Sequence, residues 1–127
     1  MSATALAQER FISITTFRRD GTPVSTPVWC AGEDGTVLVF TEAASGKVKR
    51  IRHDPHVRIA PCSARGKPRG DPVEADAAIV EGTDRVKTLL AQKYGWLWRA
   101  YNLLMAVARG TRRQPPPKAV TIRVTPR

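Results

Sequence analysis

The residues best equipped for chemistry lie in FTEAASGKVKRIRHDPHV, the stretch from Phe40 to Val57. A phosphate seat needs outward-pointing backbone N–H groups, a small residue that permits close approach, and a nearby cation. A helix opening at Ser45 supplies the N–H groups, and its dipole favours an anion. Ser45 adds a hydroxyl and Gly46 the room, Lys47 a point charge in the first turn, and Arg50 a second cation one turn later. Val48 and Ile51, three residues apart, give the helix an apolar side, so the basic side is oriented. The same residues also describe a basic helix that faces only solvent, and composition alone favours that plainer reading.

Other reactive side chains carry less. Cys30 and Cys62 each sit in an apolar, strand-like context, where a buried structural thiol is expected and nothing nearby would lower its pKa. His53 and His56 flank Asp54-Pro55, but the proline turn splays them and no third or fourth ligand follows, so no metal site is expected. Neither a G-x-S-x-G elbow nor a Walker-type glycine loop is present. No residue declares itself a catalytic acid or base. The stretch YGWLWRAYNLLMAVARGTRR, rich in aromatics and trailing bases, reads first as a core- or dimer-packing helix and second as a membrane-surface helix. Nucleic-acid binding would place aromatics among bases on a sheet face. Here the aromatics fall in the helix and the bases in loops, so no nucleic-acid partner is expected.

These residues need a scaffold. RFISITTFRRDGTPVSTPVWCAG alternates like two strands around Asp20-Gly21, a strong hairpin signal. Pro23 and Pro27 share one parity in the second strand and cannot donate to a ladder, so that side faces an edge or a ligand. GEDG turns the chain into TVLVFTE, the third strand. Ser45 to His53 follows as a short helix ended by Asp54-Pro55. HVRIAPCSA and VEADAAIVEG are the fourth and fifth strands. From Thr83 to Gly110 a helical stripe runs through Val86, Leu90, Tyr94, Leu97, Tyr101, Leu104 and Ala108, with Gly95 as a possible break. QPPPK is a stiff connector, and AVTIRV the sixth strand. Six short strands, one short helix and a long helical excursion predict a small closed or half-closed β-barrel.

A chain of 127 residues with 42% hydrophobic composition suits one domain, residues 1–127. Its formal net charge of +10 favours an acidic partner. Two cysteines fit a reducing compartment; no apolar run is long enough to span a bilayer, and the N-terminus does not read as a signal peptide. A cytoplasmic protein without a stable membrane anchor is expected.

The order of motifs resembles the pyridoxamine-5′-phosphate oxidase-like split β-barrel superfamily of flavin and deazaflavin oxidoreductases. The likeness is greatest to its short, probable coenzyme F-420-dependent members. TFRRDGTPVSTPVWC, VLVFTEAASGKVKRIRHDPHV, IAPCSARGKPRG and VEADAAIVEG carry the match, covering about Phe11 to Gly82. The resemblance implies a mainly β, six-stranded split barrel of Greek-key, FMN-binding type, with a short helix after strand three and a longer helical segment before the last strand. It implies a homodimer with the cofactor in the groove between subunits. Thr41, Ser45, Gly46 and Lys47 would hold the cofactor phosphate, with Arg50 one turn on, and Pro27, Val28 and Trp29 would line the tricyclic ring. The FMN-using oxidase branch has three further cations where this chain has Thr26, Ala31 and Gly46. The resemblance therefore implies a deazaflavin-dependent oxidoreductase that passes a hydride to an electron-poor small organic acceptor. An FMN enzyme and a non-catalytic cofactor- or haem-binding barrel are the alternatives. Arg65, Lys67 and Arg69, or Arg112 and Arg113, are candidates to receive the coenzyme's polyglutamate tail.

Overall fold

The computed structural model describes residues 2–112 and 117–127. In chain order the elements are α1 (Ala3–Ala7), β1 (Ile12–Phe17), β2 (Pro23–Val28), β3 (Ala31–Glu33), β4 (Thr36–Glu42), α2 (Gly46–His53), β5 (His56–Pro61), β6 (Val73–Glu81), α3 (Asp84–Tyr94), α4 (Trp96–Arg112) and β7 (Ala119–Pro126). The strands form one sheet, ordered β2-β1-β5-β6-β7-β4-β3, and every named pairing is antiparallel. The sheet has seven strands, not the six expected. The extra one, β3, is a three-residue edge paired with the start of β4. Asp34 and Gly35, at φ 51° and 75°, make the two-residue turn between them. That left-handed pair matches the strand twist and turns GEDG into a hairpin tip.

Alternate residues of β1, β4, β5, β6 and β7 meet in one core. Ile12, Ile14, Val37, Val39, Val57, Ile59, Ala75, Ala77, Ile122 and Val124 are buried together. Residues from strands so far apart in the sheet can share a core only because the sheet curls around it, as a half-barrel with β2 and β3 left as edges. Leu6 of α1 and Ile51 of α2 belong to the same cluster. A second core lies between α3–α4 and the other face of β3 and β4. It contains Ala31, Leu38, Val86, Leu90, Tyr94 and Trp98, with Trp29 and Phe40 against it.

The helical excursion breaks at Gly95 (φ 58°) into two helices. Its apolar stripe is buried through Tyr94, with Trp98 added; beyond the break Tyr101 and Leu104 are exposed. Gly110 does not end the helix, which runs on to Arg112. Most of the Gln114–Lys118 connector lies outside the described residues. Lys93 of α3 reaches back to the N-terminal arm: its ammonium donates to the carbonyls of Ala7 (2.5 Å), Glu9 (2.7 Å) and Cys30 (2.7 Å). Burial lowers its pKa from the ordinary lysine value.

Candidate functional site

The end of β4 delivers Thr41 to the start of α2, where Ser45 is the N-cap. Ser45 Oγ accepts from the Val48 N–H (3.4 Å) and from the buried Thr41 hydroxyl (3.4 Å). The Ser45 carbonyl accepts from Lys49 N–H (3.3 Å). That leaves the N–H groups of Gly46 and Lys47 as the free donors of the first turn among the described residues. Val48 and Ile51 are the buried side of the helix, and Lys47, one turn before Ile51, stands half-buried at the border of that side, beside a cleft.

That cleft, of about 430 Å³, has two walls. Phe40, Thr41, Ser45 and Lys47 form one; Tyr101, Asn102, Met105 and Arg109 of α4, with Lys87 of α3, form the other. Lys87 Nζ sits 5.6 Å from the centre of the Phe40 ring, and Phe40 meets Trp98 edge-on at 5.9 Å. Three cations (Lys47, Lys87, Arg109) face one carboxylate (Glu42) in the lining. Burial, then the neighbouring Arg50 charge, lowers the pKa of Lys47, and Glu42 opposes the shift. An ammonium short of hydration and crowded by another cation gains more than an exposed one from an anionic partner.

The other residues named from sequence are placed differently. A Cβ at Gly46 would lie 2.7 Å from Arg50 Nη1, so a larger residue here would require the guanidinium to shift. Arg50 donates from Nε to the buried Thr16 hydroxyl at 2.6 Å and lines a separate cleft. Pro27 stands on the edge strand β2, exposed, beside Gly66. Val28 packs on the barrel core. Trp29 stacks on Tyr94 at 4.6 Å and approaches Tyr101 at 5.6 Å, which links it to the cleft's α4 wall. Arg65, Lys67 and Arg69 lie on the β5–β6 connection, away from the Lys47 cleft; Arg113 lies outside the described residues. The α4 wall was missed from sequence. Tyr101, Met105 and Arg109 at spacings of four were its signal, masked by an apolar stripe that seemed to account for the helix.

The donor set fits the phosphate end of a flavin-type cofactor: two free N–H groups, a hydroxyl, and an ammonium beside an aromatic wall. Thr26 Oγ1, on β2 just before Pro27, adds a buried hydroxyl with no partner among the described residues. Elsewhere, both cysteines are buried and free. Burial raises their pKa values, so neither is an activated thiolate. His56 is bound to Glu74 and stacked on Phe17. Among the described residues no His, Cys, Asp and Glu group could hold a metal ion, and no helix is long and apolar enough to cross a membrane.

Compared with known proteins, the chain matches the family model of pyridoxamine 5′-phosphate oxidase over residues 2–127. No curated protein matches it. Among solved structures it superposes on an F-420 reductase with a TM-score of 0.62 at 18% identity, covering 97% of this chain and 91% of that one. HutZ, the haem storage protein of Vibrio cholerae, gives 0.67 at 13% identity, covering 98% and 87%. A pyridoxamine 5′-phosphate oxidase-related, FMN-binding protein from Nostoc punctiforme gives 0.59 at 16%, covering 98% and 74%. At such identities the three structures speak for the fold. The family match spans every strand of the curled sheet, and on it the chain belongs to the pyridoxamine 5′-phosphate oxidase family, whose split-barrel fold it carries.

Proposed function

We propose that this single-domain protein is a deazaflavin (coenzyme F-420)-dependent oxidoreductase acting on an electron-poor small organic acceptor. The observation that carries the reading is the cleft in which Thr41, Ser45 and Lys47 converge at the first turn of α2. When bound, the reduced deazaflavin supplies the hydride. The chain's own part is to bind, orient and exclude water. The Gly46 and Lys47 N–H groups and the Lys47 ammonium hold the phosphate, and Ser45 positions that turn. Pro27 to Trp29 line the ring along β2, where the missing proline N–H groups leave backbone room for a flat ligand. Arg50 stands beside that turn, its guanidinium close to Gly46. In the proposed homodimer a second copy closes the groove.

Thr26, Ala31 and Gly46 are the basis for preferring the deazaflavin to FMN, since none supplies a cation to a terminal phosphate dianion. Titrating the purified protein with coenzyme F-420 and separately with FMN is expected to show tighter deazaflavin binding; FMN preference would overturn the assignment. A second reading, a cofactor or haem carrier, draws support from the cleft lining, where Glu42 is the one carboxylate and no group is poised as an acid. The HutZ likeness points the same way. Turnover of quinone, nitro or enone acceptors separates the two, because a carrier binds without turnover.

A further inference from the structure

A different face of α2 borders a second cleft, about 330 Å³, lined by Phe17, Arg18, Arg19, Lys49, Arg50 and His53. Its residues come from two elements distant in sequence, the end of β1 with the hairpin turn and the outer side of α2. Four of the six are permanent cations, and no carboxylate shares the lining. Nor do they find ion pairs elsewhere. The ion pairs of the described residues engage Arg52, His56, Arg58, Arg85, Lys118 and Arg127, never Arg18, Arg19, Lys49 or Arg50. Of the nearest acids in sequence, Asp54 accepts from the His56 N–H, and Asp20 accepts from the Thr22 N–H and lies close enough to Arg18 for their charges to interact, but neither lines the cleft.

One of these cations is built in. Arg50 Nε is tied to the buried Thr16 hydroxyl, and its Nη1 lies 2.7 Å from where a Cβ at residue 46 would stand. The Nη groups are thus held at the cleft with little freedom left to lose, which lowers the cost of binding. Phe17, almost wholly buried, is the apolar floor. Gathering four like charges around so small a volume opposes folding through self-repulsion; an anion relieves it. Carboxylates bring one charge per group and must be strung along a chain. Adjacent phosphates bring several charges into one compact group and match the guanidinium fork.

We propose that this cleft is a second anion site, separate from the Lys47 cleft, for a small molecule bearing adjacent phosphate groups. Arg18, Arg19, Lys49 and Arg50 make the contacts. Isothermal titration with tripolyphosphate at fixed ionic strength tests it. The unsubstituted protein binds, and the Arg18→Ala/Arg19→Ala/Lys49→Ala variant binds at least tenfold more weakly, about the effect of losing one charge-assisted contact. Arg65→Ala/Lys67→Ala/Arg69→Ala loses the same three charges from another loop and retains affinity. Circular dichroism verifies that both variants fold. Deazaflavin binding stays intact in the first variant, so failure here leaves the cofactor reading standing and the reverse also holds. The proposal is overturned if tripolyphosphate does not bind, if both variants lose equally, or if deazaflavin binding falls in parallel. Tighter binding of a single-stranded oligonucleotide than of tripolyphosphate, lost in the same variant, would overturn the small-molecule assignment.

Discussion

Lys47 and Lys49 are two residues apart yet line different clefts, because two helical steps turn about 200° around the axis. This makes them a matched pair. Lys47→Ala is expected to weaken deazaflavin binding about ten- to a hundredfold, the value of one charge-assisted contact, roughly 1.5–3 kcal/mol. Lys49→Ala, at equal net charge, should leave it unchanged in moderate salt; equal losses measured by fluorescence titration would reduce the effect to long-range charge. The same side chain sets a pH dependence. Burial holds the Lys47 pKa below the ordinary 10.5, and the anion needs its charged form. Affinity therefore falls as pH rises through that lowered pKa, earlier than an ordinary lysine would allow, and Lys47→Arg removes the decline. Thr26 offers a different test. Its buried hydroxyl has no partner among the described residues, so Thr26→Val should leave the ligand-free protein equally stable, or more stable by up to about 1 kcal/mol in urea unfolding. A loss of stability would mean that the hydroxyl is satisfied in solution. At this scale Ser45 and Lys47 could be placed at a helix start because a helix N-terminus is a local device, whereas Thr41 was reached only through the family resemblance. Lys87 and Arg109 were not legible, because only the tertiary fold folds α4 back over β4.

Elements explain where sequence reading stopped. The β1–β2 hairpin was legible from Asp20-Gly21 between alternating residues, and the edge position of β2 from Pro23 and Pro27. β3 was not, because three residues cannot display a period; the Asp34-Gly35 tip was its one signal. α1 and its attachment were invisible for another reason: Lys93 lies more than eighty residues from the two arm carbonyls it serves, those of Ala7 and Glu9. Its ammonium joins the C-terminal part of α3 to the arm before β1 and to the entry of β3. Lys93→Met leaves the Ala7 and Glu9 carbonyls without their ammonium donor and the Cys30 carbonyl with the Tyr94 hydroxyl, an expected loss of about 2–3 kcal/mol in chemical unfolding. Because two of the three carbonyls belong to the arm, amide exchange over residues 3–9 should accelerate most. Uniform acceleration would show instead that α1 is integral to the barrel.

On the scale of the molecule, α4 has more apolar surface than the described residues cover. Trp96, Leu103, Leu104 and Val107 are 73%, 67%, 63% and 57% exposed, although Trp98, on the same helix, is buried in the second core. An apolar stripe of this size on a protein of net charge +10 is where two copies can approach without charge repulsion. Sedimentation velocity is expected to report a dimer, and Leu103→Glu/Val107→Glu a monomer with unchanged circular dichroism. A monomeric unsubstituted protein would remove the shared groove from the proposed function. The two open margins of the sheet bear on how such copies meet. An unpaired strand margin ordinarily invites another chain to extend the ladder, the first step toward fibrous aggregation. Here one margin is interrupted twice by residues with no N–H to offer, Pro23 and Pro27, and the other is only three residues long. The half-barrel can thus keep both margins open without becoming a template for its own polymerisation, so any contact between copies would fall to side chains rather than to backbone.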